Sequence, residues 1–66
     1  MNLIINHTSM EPIYEQIIAQ IKAGIINGTL VSGEALPSVR ALSRDLKISA
    51  LTVKKAYDSL ESEGMV

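Results

Sequence analysis

The densest chemistry in the chain lies at Ser49-Ala50-Leu51-Thr52-Val53-Lys54-Lys55, with a second set upstream at Ser38, Arg40, Arg44 and Lys47. Short hydroxyls accept hydrogen bonds from the free N–H groups that open a helix, and the positive end of the helix dipole beside them attracts anions. Lysine and arginine add mobile positive charge. Together these residue types hold phosphate, so the pattern points to a polyanion partner. The competing reading is an ordinary solvated helix face, because five cations in this stretch are few.

Acid–base and covalent chemistry have no comparable cluster. His7 is the only histidine, it lies near a terminus, and there is no cysteine. A nucleophile–base pair or a metal site needs more than that. Asp45 and Asp58 each lie beside basic residues and form no acid/base pair. Tyr14 and Tyr57 fall on apolar stripes and read as core residues with wet hydroxyls rather than base-stacking groups. No enzymatic activity, metal or cofactor is therefore expected.

The net charge of −1 hides an uneven distribution. Residues 1–35 carry Glu11, Glu15 and Glu34 against Lys22, a balance of −2. Residues 36–57 carry Arg40, Arg44, Lys47, Lys54 and Lys55 against Asp45, or +4. Residues 58–66 carry Asp58, Glu61 and Glu63, or −3. With 66 residues, 47 % of them apolar, the chain has room for one small domain. No apolar run reaches the ~18 residues of a membrane span. The start, Met1–His7, lacks the basic and apolar stretches of a secretory leader. The absence of cysteine fits a cytoplasmic protein.

Three helices must position the polar set. The first is expected from about Pro12 to Asn27, with Pro12 in its first turn and Gly28 as the left-handed residue after its end. Tyr14, Ile17, Ile18, Ile21 and Ile25 fall on one face; Ile13 and Ile26 lie off it and suggest a second contact surface, such as a dimer. Gly24 in this helix either permits close helix approach or has no role. Residues 28–38 form a connector, pinned by Leu30 and Leu36 and turned by Gly28 and Gly33. Ser38 caps a second helix from about Val39 to Lys47, with Val39, Leu42 and Leu46 inward and Arg40 and Arg44 outward. Ser49 caps a third from about Ala50 to Glu63, whose inner stripe is Val53, Ala56, Tyr57 and Leu60, and Gly64 follows it. Leu42 and Leu46 are expected to be buried beside Ile17, Ile21, Val53 and Tyr57. Residues 3–5, Leu-Ile-Ile, read as a short strand with no obvious partner, and Met65-Val66 as the start of another. Two helices joined by a turn of about three residues have the layout of a helix-turn-helix, whose second helix enters the DNA major groove.

The order Pro12-Ile13-Tyr14-Glu15-Gln16-Ile17, Ile26-Asn27-Gly28-Thr29-Leu30, Gly33-Glu34-Ala35-Leu36-Pro37-Ser38-Val39-Arg40-Ala41-Leu42, then Thr52-Val53-Lys54-Lys55-Ala56-Tyr57 and Leu60-Glu61-Ser62-Glu63-Gly64 is more specific. Over residues 10–66 it resembles the N-terminal winged helix-turn-helix domain of the GntR family of bacterial transcription regulators, its short YtrA-type branch most of all. The domain joined to aminotransferase-like halves in the MocR-type branch is also similar. The resemblance implies a mainly α, three-helix bundle of winged-helix type. It implies sequence-specific binding to double-stranded operator DNA, with a homodimer in the full-length regulator and an effector molecule the sequence does not identify. The alternative class is a helical interaction or dimerisation module that binds no DNA itself.

Carried over by position, Arg40 matches an arginine that contacts DNA from the start of the second helix. Ser49 matches the hydroxyl that caps the recognition helix and touches phosphate. Thr52 and Lys54 match DNA-facing positions, and Ser38, Ala50, Leu51 and Lys55 complete the candidate surface. Position 50 usually holds an arginine that reads guanine; Ala50 removes that contact, and Leu51 beside it suits a thymine methyl. The family domain continues into a glycine-rich, two-stranded wing, whose first strand would begin near Val66. The expectation is therefore one DNA-binding domain over residues 1–66, a fragment of a longer regulator that lacks most of the wing.

Overall fold

The computed structural model describes residues 3–28 and 36–64. Among these it has three helices, α1 (Ile13–Ile26), α2 (Val39–Leu46) and α3 (Ala50–Ser62), and no strand. The expected connector positions Thr29, Leu30 and Gly33, and the strand start at Met65-Val66, lie outside the described residues.

Helix boundaries follow from local chemistry. Pro12 sits just before α1, with φ −56° and ψ 146°, rather than inside its first turn. Its carbonyl accepts the N–H groups of Glu15 (3.1 Å) and Gln16 (3.2 Å). Proline has no N–H to leave unpaired at that point, and its ring fixes φ. At the other end Asn27 caps the helix and Gly28 takes φ +85°, a conformation that glycine adopts without the steric cost of a Cβ.

The helices bury one stripe each. Ile17 and Ile21 of α1, Leu42 of α2, and Val53, Ala56 and Leu60 of α3 form the core. Helix α3 packs against both α1 and α2, so the other two meet through it. Ile13, expected off the stripe, instead packs on the core at its edge, because α1 has neighbours around more than one face. Ile26 is 80 % exposed. Leu46 and Tyr57, expected to be buried like Leu42, are only half-buried; Leu46 is the last residue of a short helix, where the core thins. Leu36 and Ile48 pack on the same cluster and anchor the two connectors.

Residues 3–5 are extended but form no strand, and their partner is a helix. Gln20 Oε1 accepts the Ile4 N–H (2.9 Å), and Gln20 Nε2 donates to the Ile4 carbonyl (2.7 Å). Gln16 Oε1 accepts the Asn6 N–H (2.8 Å), and its Nε2 donates to the carbonyls of Asn6 (3.0 Å) and Glu11 (2.9 Å). The spacings agree: four residues of helix advance about 6 Å, and two residues of extended chain about 6.6 Å. Two carboxamides thus supply what a neighbouring strand would, running antiparallel. Leu3 and Ile5 then turn to the core while Ile4, 79 % exposed, faces outward. Gln16 is 7 % exposed with its amide fully used, which is the condition for burying a polar group at low cost.

Gln16→Ala should cost about 1–3 kcal/mol, because Asn6 and Glu11 lose partners at a part-buried site. Hydrogen exchange should show loss of protection at Asn6 first; unchanged protection there would refute the clasp. Leu42→Ala should cost about 2–5 kcal/mol in urea unfolding. Leu46→Ala should cost clearly less, in line with its partial burial.

Candidate nucleic-acid interface

Each flanking helix of the turn is opened by a serine. The Ala41 N–H donates to Ser38 Oγ at 3.0 Å, and the Leu51 N–H donates to Ser49 Oγ at 3.1 Å. Both serines have the extended backbone of an N-cap residue. Between them the chain reverses at Lys47, a left-handed residue with φ 57° and ψ 47°. The N–H groups of Lys47 and Ile48 close α2 on the carbonyls of Arg44 (3.3 Å) and Ser43 (3.0 Å). The left-handed state costs a non-glycine residue roughly 1–2 kcal/mol. Half-buried Ile48 and the cap at Ser49 hold it in place. The sequence places Lys47 at the end of the second helix and in the turn after it; in the structure it lies just outside α2, as the reversing residue. Nothing in its side chain marks it as the reversing residue, since glycine or asparagine is the usual signal.

The candidate residues are distributed around this turn. Ser38, Arg40, Ser49, Ala50, Leu51, Lys54 and Lys55 are exposed, and Thr52 is half-buried. The cations differ in their surroundings. Among the described residues, Arg40 and Lys47 have no carboxylate within ion-pair distance. Arg44 Nε lies 3.9 Å from Asp45 Oδ1, with both side chains largely in water, an arrangement of small energetic weight. Lys54 Nζ bonds Asp58 Oδ2 at 2.8 Å, one helical turn on. That hydrogen bond first, then the charge of Asp58 and more weakly that of Glu61, holds the ammonium above its ordinary range. Lys55 Nζ lies 4.0 Å from the centre of the Tyr14 ring, a cation–π contact to α1.

Helix α3 is therefore electrically polar. Its opening half carries Ser49, Lys54 and Lys55, and its closing half carries Asp58, Glu61 and Glu63. Glu63 is partly occupied by Lys22 of α1, at 2.7 Å. Phosphate is attracted to the first half and repelled from the second. Among the described residues no group of His, Cys, Asp and Glu is placed to hold a metal.

Tyr57 has a positioning role that its place on an apolar stripe concealed. Its hydroxyl, expected to be wet, donates to the Pro37 carbonyl at 2.8 Å. This ties the middle of α3 to the residue before the Ser38 cap, and so sets where α2 and Arg40 begin. Burial pushes the phenol above its ordinary range.

The same surface can be compared with known proteins. The family described as "Bacterial regulatory proteins, gntR family" matches residues 13–66. The chain is similar to the HTH-type transcriptional repressor YtrA of Bacillus subtilis (strain 168), with 45 % identity over 62 residues, 94 % of this chain and 48 % of that protein. It is similar to the HTH-type transcriptional repressor NagR of the same organism, with 42 % identity over 62 residues, 94 % of this chain and 26 % of that protein. The chain thus spans about half the length of the first of these relatives and a quarter of the second. Among solved structures it is similar to YtrA from Sulfolobus acidocaldarius, a GntR-family transcription factor, with a TM-score of 0.88 and 45 % identity over 94 % of this chain and 66 % of that one.

Tyr57→Phe should cost about 0.5–1.5 kcal/mol at neutral pH, the usual net worth of one hydrogen bond. The folded state holds the phenolic proton more tightly than the unfolded chain does. This contribution is therefore fully present below about pH 10 and is lost as pH rises through the folded value. Melting curves across that range should show an alkaline decline in the wild type that is shallower in Tyr57→Phe; equal declines would remove the assignment.

Proposed function

We propose that this chain, which belongs to the gntR family of bacterial regulatory proteins, is the operator-reading domain of a longer transcription regulator and binds double-stranded DNA through the turn between α2 and α3. One observation carries the reading. Two serine-capped helices meet through left-handed Lys47, and the exposed first turn of α3 stands next to the cations of α2 in sequence. A helix of this kind fits the major groove, with backbone N–H groups and cations on the flanking phosphates.

The roles divide by chemistry. Ser38 and Ser49 bring helix starts, with their free N–H groups, to phosphate. Arg40, unpaired by any described carboxylate, makes a charge-assisted contact to backbone or base. Ala50, Leu51 and Thr52 face base edges. Lys54 and Lys55 serve phosphates, Lys54 by exchanging Asp58 for a phosphate oxygen and Lys55 from its seat on Tyr14. Residues 1–66 act as one domain. The whole regulator works in the cytoplasm as a homodimer, pairing two half-sites, and catalyses no reaction. The names of the relatives, transcriptional repressors, support regulation as the task, and no described helix is long and apolar enough to cross a membrane.

Titration of a labelled duplex at several salt concentrations tests this. Binding by this single domain should be weaker than about 10⁻⁸ M, the range of complete specific complexes. Affinity should fall with salt, with a log–log slope of about −0.9 for each phosphate neutralised. Arg40→Ala should reduce that slope by about one unit if Arg40 holds a phosphate, and leave the melting temperature unchanged because the side chain is exposed. Binding indifferent to salt, or a large loss of melting temperature in the variant, would contradict the proposal.

A further inference from the structure

Helix α3 presents an apolar side chain at the point where it would meet base edges. Leu51, in its first turn, is 75 % exposed and is not among the residues that pack on the core. Ala50 beside it is exposed too. No arginine, asparagine or glutamine lies on α3, and these are the side chains that pair bidentately with guanine or adenine. Of the nearby polar groups, Ser49 Oγ is engaged by the Leu51 N–H, Lys54 by Asp58 and Lys55 by the Tyr14 ring, and Thr52 is half-buried. The acidic second half of the helix is repelled by phosphate, so the first turn is the part that enters a groove.

Resting on the DNA-binding reading above, we propose that Leu51 determines specificity by reading the C5-methyl group of a thymine in the major groove. Thymine alone among the four bases presents a methyl group there. Leucine offers that methyl an apolar surface, and Ala50 leaves room for close approach. Cytosine has only a hydrogen at C5, so the leucine loses that apolar contact. The contact reads the methyl and not the hydrogen-bonding edge, so 5-methylcytosine is accepted in the same place.

The test starts from a duplex enriched out of a random pool by this chain. Each thymine is then replaced in turn by deoxyuridine, which removes only the methyl group. Wild type should bind about four-fold more weakly at one thymine per half-site, the effect of burying one methyl-sized group. Replacing that T·A pair by C·G should weaken binding, and 5-methyl-deoxycytidine should restore about four-fold. Leu51→Ala should melt like the wild type and be indifferent to uracil at that position. The inference is overturned if wild type ignores every uracil, if Leu51→Ala keeps the full discrimination, or if its melting temperature falls, which would assign Leu51 to the fold. Failure to enrich any duplex would remove the DNA-binding reading as well, whereas enrichment without methyl dependence would remove this inference alone.

Discussion

Everything in this domain depends on α3 burying one face against two helices while its opposite face stays in water. Val53, Ala56 and Leu60 are fully buried, and Leu51 on the same helix is largely exposed. A 66-residue chain with no cysteine has no covalent staple to share the work. The small core must therefore be well packed, and Ala56 suits a position where helices approach closely. The exposed face of α3 is held in position because the opposite face is locked.

The turn between α2 and α3 shows how local strain is supported by its surroundings. A left-handed lysine is an unfavourable choice in isolation. Here the closing hydrogen bonds of α2, the half-buried Ile48 and the Ser49 cap all fall within four residues of it. Tyr57 adds a tie from α3 back to Pro37, so the start of α2 is fixed from α3 itself. The two ends of the candidate surface are thereby positioned by one helix.

Electrostatics divide the surface more finely than residue counts suggest. The basic stretch has a formal balance of +4, yet Lys54 is bound to Asp58 from the acidic stretch, and Lys55 is seated on Tyr14. Arg40 and Lys47 are the cations of the turn region without a described carboxylate partner. An exposed pair such as Lys54–Asp58 is weak in water, so exchange for phosphate is a small energetic step.

The sequence by itself determined the three helices, the caps at Ser38 and Ser49, the left-handed Gly28 after α1, and the core stripe through Ile17, Ile21, Leu42, Val53, Ala56 and Leu60. These follow from periodicity and from hydroxyl and glycine chemistry acting over a few residues. The order of motifs likewise made the family and its helix-turn-helix legible. Only the tertiary structure decided the rest. Gln16 and Gln20 pair with residues 6 and 4 across ten and sixteen positions of chain, so a strand that looked partnerless is satisfied by a helix. Lys47 reverses the chain, Leu46 and Tyr57 are only half-buried, and Tyr57 holds Pro37, because these depend on where helix ends meet in space. The same holds for the lysines. Spacing placed Lys54 and Lys55 on α3 and Asp58 one turn beyond Lys54, but only the packing of α1 on α3 brings Tyr14 beside Lys55.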